Sequence, residues 1–454
     1  MGKAKVLIVS NRLPVNLVER GGKVIAERSI GGVATALDAV AKRFRASWIG
    51  WTGQRRVLAD KDLESSGLAR RYLPVQAGDR LVRGFYDHFS NRFLWPTMHG
   101  KRVDYSPTEE DWAAYQSMNR RFAAAVAEAA KPDDIIWVND YHLMLVPAYL
   151  REMGVTNRIG FFLHVPFPRS GFWMRRPYAR TLAESLAVSD VVGMQTNRDV
   201  QEFRAYMSAI GVRPQGLLRA FPIGVDYEAY RRAAKQPVVQ RLGQNIKKAI
   251  SGKKVIFSLS RMDYTKGILT QLHAVRRLLT GHKQREGLVY KLVVAPSREN
   301  LPEYTRLSKQ ITDMVDDINN SLGTADWQPI DYEHRTIDFD EVTAWYTVAD
   351  TLLLLPDADG MNLIAKEYVA ARQDNNGMAV LTTTMGAAEQ LGRALLVPPG
   401  DPSAAASALE QALKMRPAER PQRWQRLRAA VRDQDIFWWA DSFVAAVAAS
   451  SGKA

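Results

Sequence analysis

Short apolar runs of strand length alternate with helically spaced apolar residues from one end of the 454-residue chain to the other. Strands buried on both faces read as unbroken apolar runs, and parallel strands need a helical crossover, so this rhythm predicts doubly wound α/β structure. In the first half the runs fall at 6–10, 48–51, 135–138, 159–164 and 191–195. After "FPIGVD" (221–226) the rhythm weakens. A polar, basic stretch over 233–253 reads as a linker, and the alternation restarts with runs at 255–258, 292–295, 351–355, 380–383 and 395–397. The expectation is two α/β domains, residues 1–235 and 236–435, with a cleft between them. The closing segment "DIFWWADSFVAAVAAS" spaces Trp439, Phe443 and Val447 by four. That spacing predicts a helix over 436–454, which either ends the second domain or, as we expect, packs back on the first.

Several function classes fall away early. The chain has no cysteine, which removes disulfides, thiolate metal sites and cysteine nucleophiles and fits a reducing compartment. Its N-terminal apolar stretch ends at "SNR" and is too short for a secretory or spanning segment, and no later stretch is long enough to cross a membrane, so a cytoplasmic protein is expected. The formal charge of +14 invites a nucleic-acid reading. The basic pairs are scattered among acidic residues and no aromatic ladder accompanies them, so nucleic acid is not the expected partner. A net positive field also attracts anionic sugar nucleotides. Seven histidines show no H-E-x-x-H or comparable ligand spacing, so no histidine metal site is expected.

The segment "SLSRMDYTKG" (258–267) places Arg261 and Lys266 on a strand-to-helix turn. Such turns lie at the carboxyl ends of strands, where ligands bind open α/β sheets, and two cations there suit a multiply charged phosphate. A nicotinamide fingerprint G-x-G-x-x-G is absent; instead Gly31-Gly32 precedes a helix with Val33, Leu37, Val40 and Phe44 on one face. The stretch "LLLLPDADGMNLIAKEYVAA" (352–371) runs from a buried strand through a turn into a helix carrying Glu367. Asp357-Ala358-Asp359 imitates a D-x-D metal site. Arg261 and Lys266 already supply the charge that a diphosphate needs, so no metal and no cofactor are expected. Asp359 and Glu367 are spaced to let one carboxylate address sugar hydroxyls and the other a ribose.

The run of motifs "SNRLP", "IGGVA", "GWTG", "FSNRFLWP", "NDYHL", "FFLHVPFP", "SRMDYTKG", "APSR" and "DGMNLIAKE" resembles the trehalose-6-phosphate synthase family, retaining glycosyltransferases of family 20. The resemblance covers the chain from its start to about residue 370 and on towards the last helix. It implies a GT-B fold, two Rossmann-like domains facing across a cleft, and transfer of glucose from a nucleotide sugar to glucose 6-phosphate. It also implies roles. Arg261 and Lys266 would hold the donor diphosphate with Gly31 and Gly32 nearby; Asp359, Gly360, Met361, Asn362 and Leu363 would address the donor glucose and Glu367 the ribose. Asp140 and His164 would face the reacting sugars. Arg12, Tyr86, Trp95 and Arg298 would collect around the acceptor phosphate.

Retention of configuration ordinarily points to a carboxylate nucleophile. Asp140 in "WVNDYHL" is the carboxylate that would otherwise be nominated as base, and its alternative is an N-cap for the following helix. The resemblance implies front-face attack by the acceptor hydroxyl instead, with the leaving phosphate taking the proton. The chain departs from the family pattern at Asn139, where relatives commonly carry His, and at Ala358, where they commonly carry Arg. "PFPRSGFW" also lacks the usual acidic residue after the prolines. Other readings are transfer to another phosphorylated acceptor such as glycerol 3-phosphate, a pseudo-glycosyl coupling, or a non-catalytic sugar-phosphate sensor. A homo-oligomer is compatible with all of them.

Overall fold

The computed structural model describes residues 5–21, 23–28, 32–281, 285–299 and 301–450. The chain divides into two compact units: residues 1–223 with 436–454, and residues 224–435.

The first unit is built on seven parallel strands in the spatial order Tyr72–Val75, Ser47–Trp51, Val6–Arg12, Ile135–Asn139, Ile159–Phe162, Val191–Met194, Leu217–Ala220. The first strand in sequence lies in the interior, and strand order reverses beside it, between Val6–Arg12 and Ile135–Asn139. A doubly wound sheet opens a crevice there, beyond the carboxyl ends of the strands. Arg12 and Asp140 stand at that point. A separate hairpin pairs Val15–Arg20 with Lys23–Arg28.

The helix Ile436–Ala449 belongs to this unit, with Trp439, Phe443 and Val447 fully buried. Glycine makes the room. A Cβ at Gly160 would stand 2.6 Å from Val447 Cγ2 and one at Gly193 2.7 Å from Phe443 Cε2, so any larger residue in these strands would lift the helix away.

The second unit holds six parallel strands in the order Ile330–Glu333, Leu288–Ala295, Lys254–Arg261, Thr351–Leu354, Met378–Thr382, Leu395–Val397. Numbered within the unit this is 3-2-1-4-5-6, the doubly wound order, with its switch point between Lys254–Arg261 and Thr351–Leu354. The segments carrying Arg261 to Gly267 and Pro356 to Asn362 leave the sheet side by side there. The amide of Asp357 donates to Thr265 O at 3.0 Å and ties the two turns together.

The stretch read as a linker is helical. Tyr227–Ala233 and Pro237–Ala249 are both helices of the second unit, so the chain changes unit at 223/224 rather than at 235. Pro237–Ala249 buries only Val239 and Gly243, and a Cβ at Gly243 would touch Thr347 Oγ1 at 3.4 Å. Val239, Leu242 and Ile246 do follow a helical period, and it is the density of polar and basic residues around them that makes the stretch read as a linker. Among the described residues, no helix is long and apolar enough to cross a membrane.

Candidate active site

In the second unit the turn after Lys254–Arg261 is shaped by Gly267. Its φ is +61°, and a Cβ would overlap the Leu355 carbonyl, so only glycine lets the turn pack against the end of the neighbouring strand. That packing delivers Lys266. Its Nζ lies 2.6 Å from Asp359 Oδ2, with both side chains largely buried, and Asn362 Nδ2 donates to the same oxygen at 3.1 Å. Asn362 has φ +68°, starts the helix Leu363–Ala371, and keeps a buried Oδ1 without a hydrogen-bond partner among the described residues. The turn is pinned from behind. Gly386 N donates to Asp359 O at 3.0 Å and Ala387 N to Met361 O at 2.9 Å. The helix N-terminus at Leu363 thus opens beside a carboxylate and an ammonium group.

Behind these cations sits Asp263, fully buried. Its Oδ1 accepts from Thr265 N at 2.9 Å and Thr265 Oγ1 at 2.8 Å, while Oδ2 lies 3.5 Å from Arg298 NH1. Burial alone would raise this carboxyl's pKa; the positive fields of Arg298, Arg261 and Lys266 and the Thr265 amide outweigh it, and the net shift is downward. Arg298, at φ +51°, also donates to Tyr304 OH at 2.7 Å. Glu367 is buried and accepts from Tyr346 OH at 2.7 Å. Burial raises its pKa, partly countered by hydrogen bonds from Tyr346 and Tyr230.

In the first unit Asp140 has φ +75° and ψ 166°, a region that residues with a side chain rarely occupy. It does not cap the short helix Tyr141–Leu143 with its side chain. Its amide donates to Phe162 O at 2.8 Å, and its Oδ1 accepts from His164 N at 3.2 Å, which carries the carboxylate across to the next strand end. The His164 ring lies between Phe162 and Trp439 with Nε2 3.0 Å from Asn139 Oδ1. Burial pulls its pKa down to about 3, so the ring is neutral. In place of the missing acidic residue, the "PFPRSGFW" loop is tied by outside carboxylates. Asp199 accepts from Phe167 N at 3.0 Å, and Glu202 from Ser170 N at 2.8 Å.

Arg12 explains the "GWTG" motif. Its guanidinium lies 4.7 Å from the Trp51 ring centroid and donates to Asn16 Oδ1 at 2.7 Å. A Cβ at Gly50 would stand 2.6 Å from Leu13 N, and one at Gly53, at φ +85°, would overlap the Arg12 guanidinium. Burial lowers the pKa of Arg12, and among the described residues no carboxylate pairs with it. A half-buried, always charged group whose hydrogen bond goes to a neutral amide is a poised anion site. From Trp51 an aromatic string runs to Tyr86 (5.5 Å), His142 (5.8 Å, stacked), Tyr141 (3.9 Å) and Trp95 (5.9 Å).

The expected residues therefore gather in local groups. Lys266, Asp359 and Asn362 touch; Asp140 and His164 touch; Arg12, Tyr86 and Trp95 share one aromatic string, with Trp95 at its far end; Arg298 stands in the second unit beside Asp263. Gly32 is the first residue of the helix Gly32–Phe44, and Gly31 lies outside the described residues. The sequence reading overlooked Trp51, His142 and Asp263, although all three sit inside the motifs quoted. Among the described residues no group of three or more metal-ligating side chains is gathered.

The glycosyltransferase family 20 model matches residues 4–449. The bifunctional trehalose-6-phosphate synthase/phosphatase of Thermoproteus tenax is 35% identical over 97% of this chain, which spans 63% of that protein's length. An α,α-trehalose-phosphate synthase (UDP-forming) from Burkholderia xenovorans, solved in complex with glucose-6-phosphate, superposes with a TM-score of 0.86 at 30% identity, covering 98% of this chain and 100% of that one. The trehalose-6-phosphate protein of E. coli, solved with UDP-2-fluoro glucose, gives 0.87 at 29% identity and covers 99% and 100%. The fold is the α/β GT-B class, and the chain belongs to glycosyltransferase family 20.

Proposed function

We infer that the protein is an α,α-trehalose-phosphate synthase that transfers glucose from UDP-glucose to glucose 6-phosphate with retention of configuration. The observation that carries this reading is the unbroken family match over residues 4–449, together with full-length similarity to a UDP-forming synthase seen with glucose-6-phosphate and to a relative seen with a UDP-sugar analogue.

The residue roles are part of the same proposal. The anomeric C–O bond breaks with its electron pair going to the β-phosphate oxygen of UDP. Arg261 and Lys266 stabilise that growing charge, and the helix N-terminus at Leu363 adds a partial positive charge. The acceptor's anomeric hydroxyl attacks the same face, and its proton passes to the leaving phosphate. Asp359, Asn362 and the backbone from Gly360 to Leu363 hold the donor glucose, and Glu367 the ribose. Asp140 and His164 orient the reacting sugars. Arg12, with Tyr86 and Trp95 on its aromatic string, is assigned to the acceptor phosphate, and Arg298 is assigned to it on the family resemblance alone.

The test is a matrix of UDP-, GDP- and ADP-glucose against glucose 6-phosphate, glucose and glycerol 3-phosphate, read by nucleotide diphosphate release with and without excess EDTA. UDP release that requires glucose 6-phosphate and survives EDTA is expected. Preference for glycerol 3-phosphate would overturn the acceptor assignment, and abolition by EDTA with rescue by magnesium would overturn the metal-free chemistry and revive Asp357-Ala358-Asp359 as a cation site.

A further inference from the structure

Asn139, one of the departures from the family pattern, has its amide orientation fixed by three contacts. It is buried at the end of the strand Ile135–Asn139, and its Nδ2 donates to Trp137 O at 3.1 Å and to Val9 O at 3.3 Å. Both amide hydrogens are then used. The reverse orientation would set the amide oxygen against two carbonyl oxygens. Oδ1 must therefore face His164 Nε2, 3.0 Å away, and an amide oxygen only accepts. Nε2 carries the ring proton. Nδ1 is left as the lone-pair nitrogen, buried and without a hydrogen-bond partner among the described residues. The ring cannot turn to escape this, because Phe162 and Trp439 pack on it at centroid distances of 4.7 and 5.9 Å, and His164 N is held by Asp140 Oδ1.

We propose that Asn139 is a positioning residue that locks His164 in the Nε2–H tautomer, so that the imidazole meets a hydroxyl group at Nδ1 as acceptor and never as donor. The role of that hydroxyl rests on the functional reading above, in which His164 faces the reacting sugars; the tautomer itself does not. A histidine at position 139 could donate or accept and would not impose the same state. The neighbouring residues Asn139 and Asp140 thus hold His164 at its ring and at its main chain. This is how adjacent positions on one strand end set both the direction and the proton state of a side chain on the next.

The experiment is ring-15N NMR of protein labelled at histidine, with the His164 signals assigned from their loss in His164→Gln. The wild type is expected to show a pyridine-type shift at Nδ1 and a pyrrole-type shift at Nε2, unchanged from pH 8 to pH 6. Asn139→Asp sets its second carboxyl oxygen against the Trp137 and Val9 carbonyls, so that oxygen must carry a proton and donate there while the other still accepts from Nε2, and the signature should be kept. Asn139→Leu removes it and should give a tautomer mixture, with turnover reduced about tenfold and the KM for glucose 6-phosphate little changed. An Nδ1–H or doubly protonated ring in the wild type overturns the proposal, as does an unaltered signature in Asn139→Leu. If Asn139→Leu does not fold, the wild-type and Asn139→Asp spectra still decide. Absence of glucosyl transfer in the wild type would sink the functional reading and leave the tautomer result standing.

Discussion

Lys266 Nζ and Asp359 Oδ2 form an ion pair of 2.6 Å across two turns that leave neighbouring strands at the switch point of the second sheet. In the proposed donor site the diphosphate would compete for the lysine and the sugar hydroxyls for the carboxylate, so binding would exchange one internal pair for two external ones. Lys266→Ala is expected to lower turnover about a hundredfold while changing donor KM far less, because the charge it meets grows as the anomeric bond breaks. Steady-state kinetics with UDP-glucose check this. Unchanged turnover with only a raised KM would show uniform binding instead.

Gly267→Ala tests the turn that delivers Lys266. At φ +61°, with its added carbon overlapping the Leu355 carbonyl, the alanine must push two strand ends apart. A loss of about 3 kcal/mol of stability is expected from strain and overpacking. Denaturant titration reads it, and a wild-type midpoint would contradict the close approach. Gly252, at φ +76° with open space around it, should tolerate alanine with only the cost of its conformation, about 1 kcal/mol.

Arg12 tests the acceptor site. Its guanidinium sits on the Trp51 face with a neutral amide as hydrogen-bond partner, and lysine offers neither the planar stack nor a forked contact. Arg12→Lys should cut the preference for glucose 6-phosphate over glucose by about 10- to 100-fold, the worth of one charge-assisted contact, with donor KM nearly intact. Competition between the two acceptors measures it. An unchanged ratio would place the phosphate elsewhere.

Asp263 carries a pH signature. Its folded pKa lies below the ordinary aspartate value of 3.8, since the fields of Arg298, Arg261 and Lys266 overcome the effect of burial. Its contribution to stability is therefore fully present above that value and is lost as the pH falls through the folded one, where the unfolded chain binds the extra proton. Asp263→Asn should flatten the acid limb of the stability profile by up to about 1.4 kcal/mol per pH unit. Chemical denaturation between pH 2 and pH 6 checks it; a limb as steep as the wild type's would remove Asp263 from the account.

The central strands and the two-unit plan were legible because interior parallel strands are apolar throughout. The strands that escaped notice are sheet edges. "YLPV" at 72–75, "LLRA" at 217–220 and "IDYE" at 330–333 each lie at an edge, with part of their surface exposed, and carry polar residues or proline that hide the run. The segment Arg83–Leu94 forms a π-helix with i→i+5 bonding; Phe85, Phe89 and Phe93 recur every four residues and announce a helix there, but their spacing does not distinguish the wider turn. Site cations were readable from motif spacing because they sit at strand ends. Their supports were not. Trp51, Asp263 and Asn139 act through contacts with residues distant in sequence, and only coordinates reveal that Gly50 and Gly53 are glycine for the sake of Arg12.

The most direct measurement is the 1H NMR spectrum of the product formed from UDP-glucose and glucose 6-phosphate, with anomeric protons assigned and UDP counted in the same tube. The account predicts one non-reducing disaccharide phosphate with both anomeric centres α, formed in step with UDP. A β-linked or reducing product, or equal consumption of unphosphorylated glucose, would contradict it.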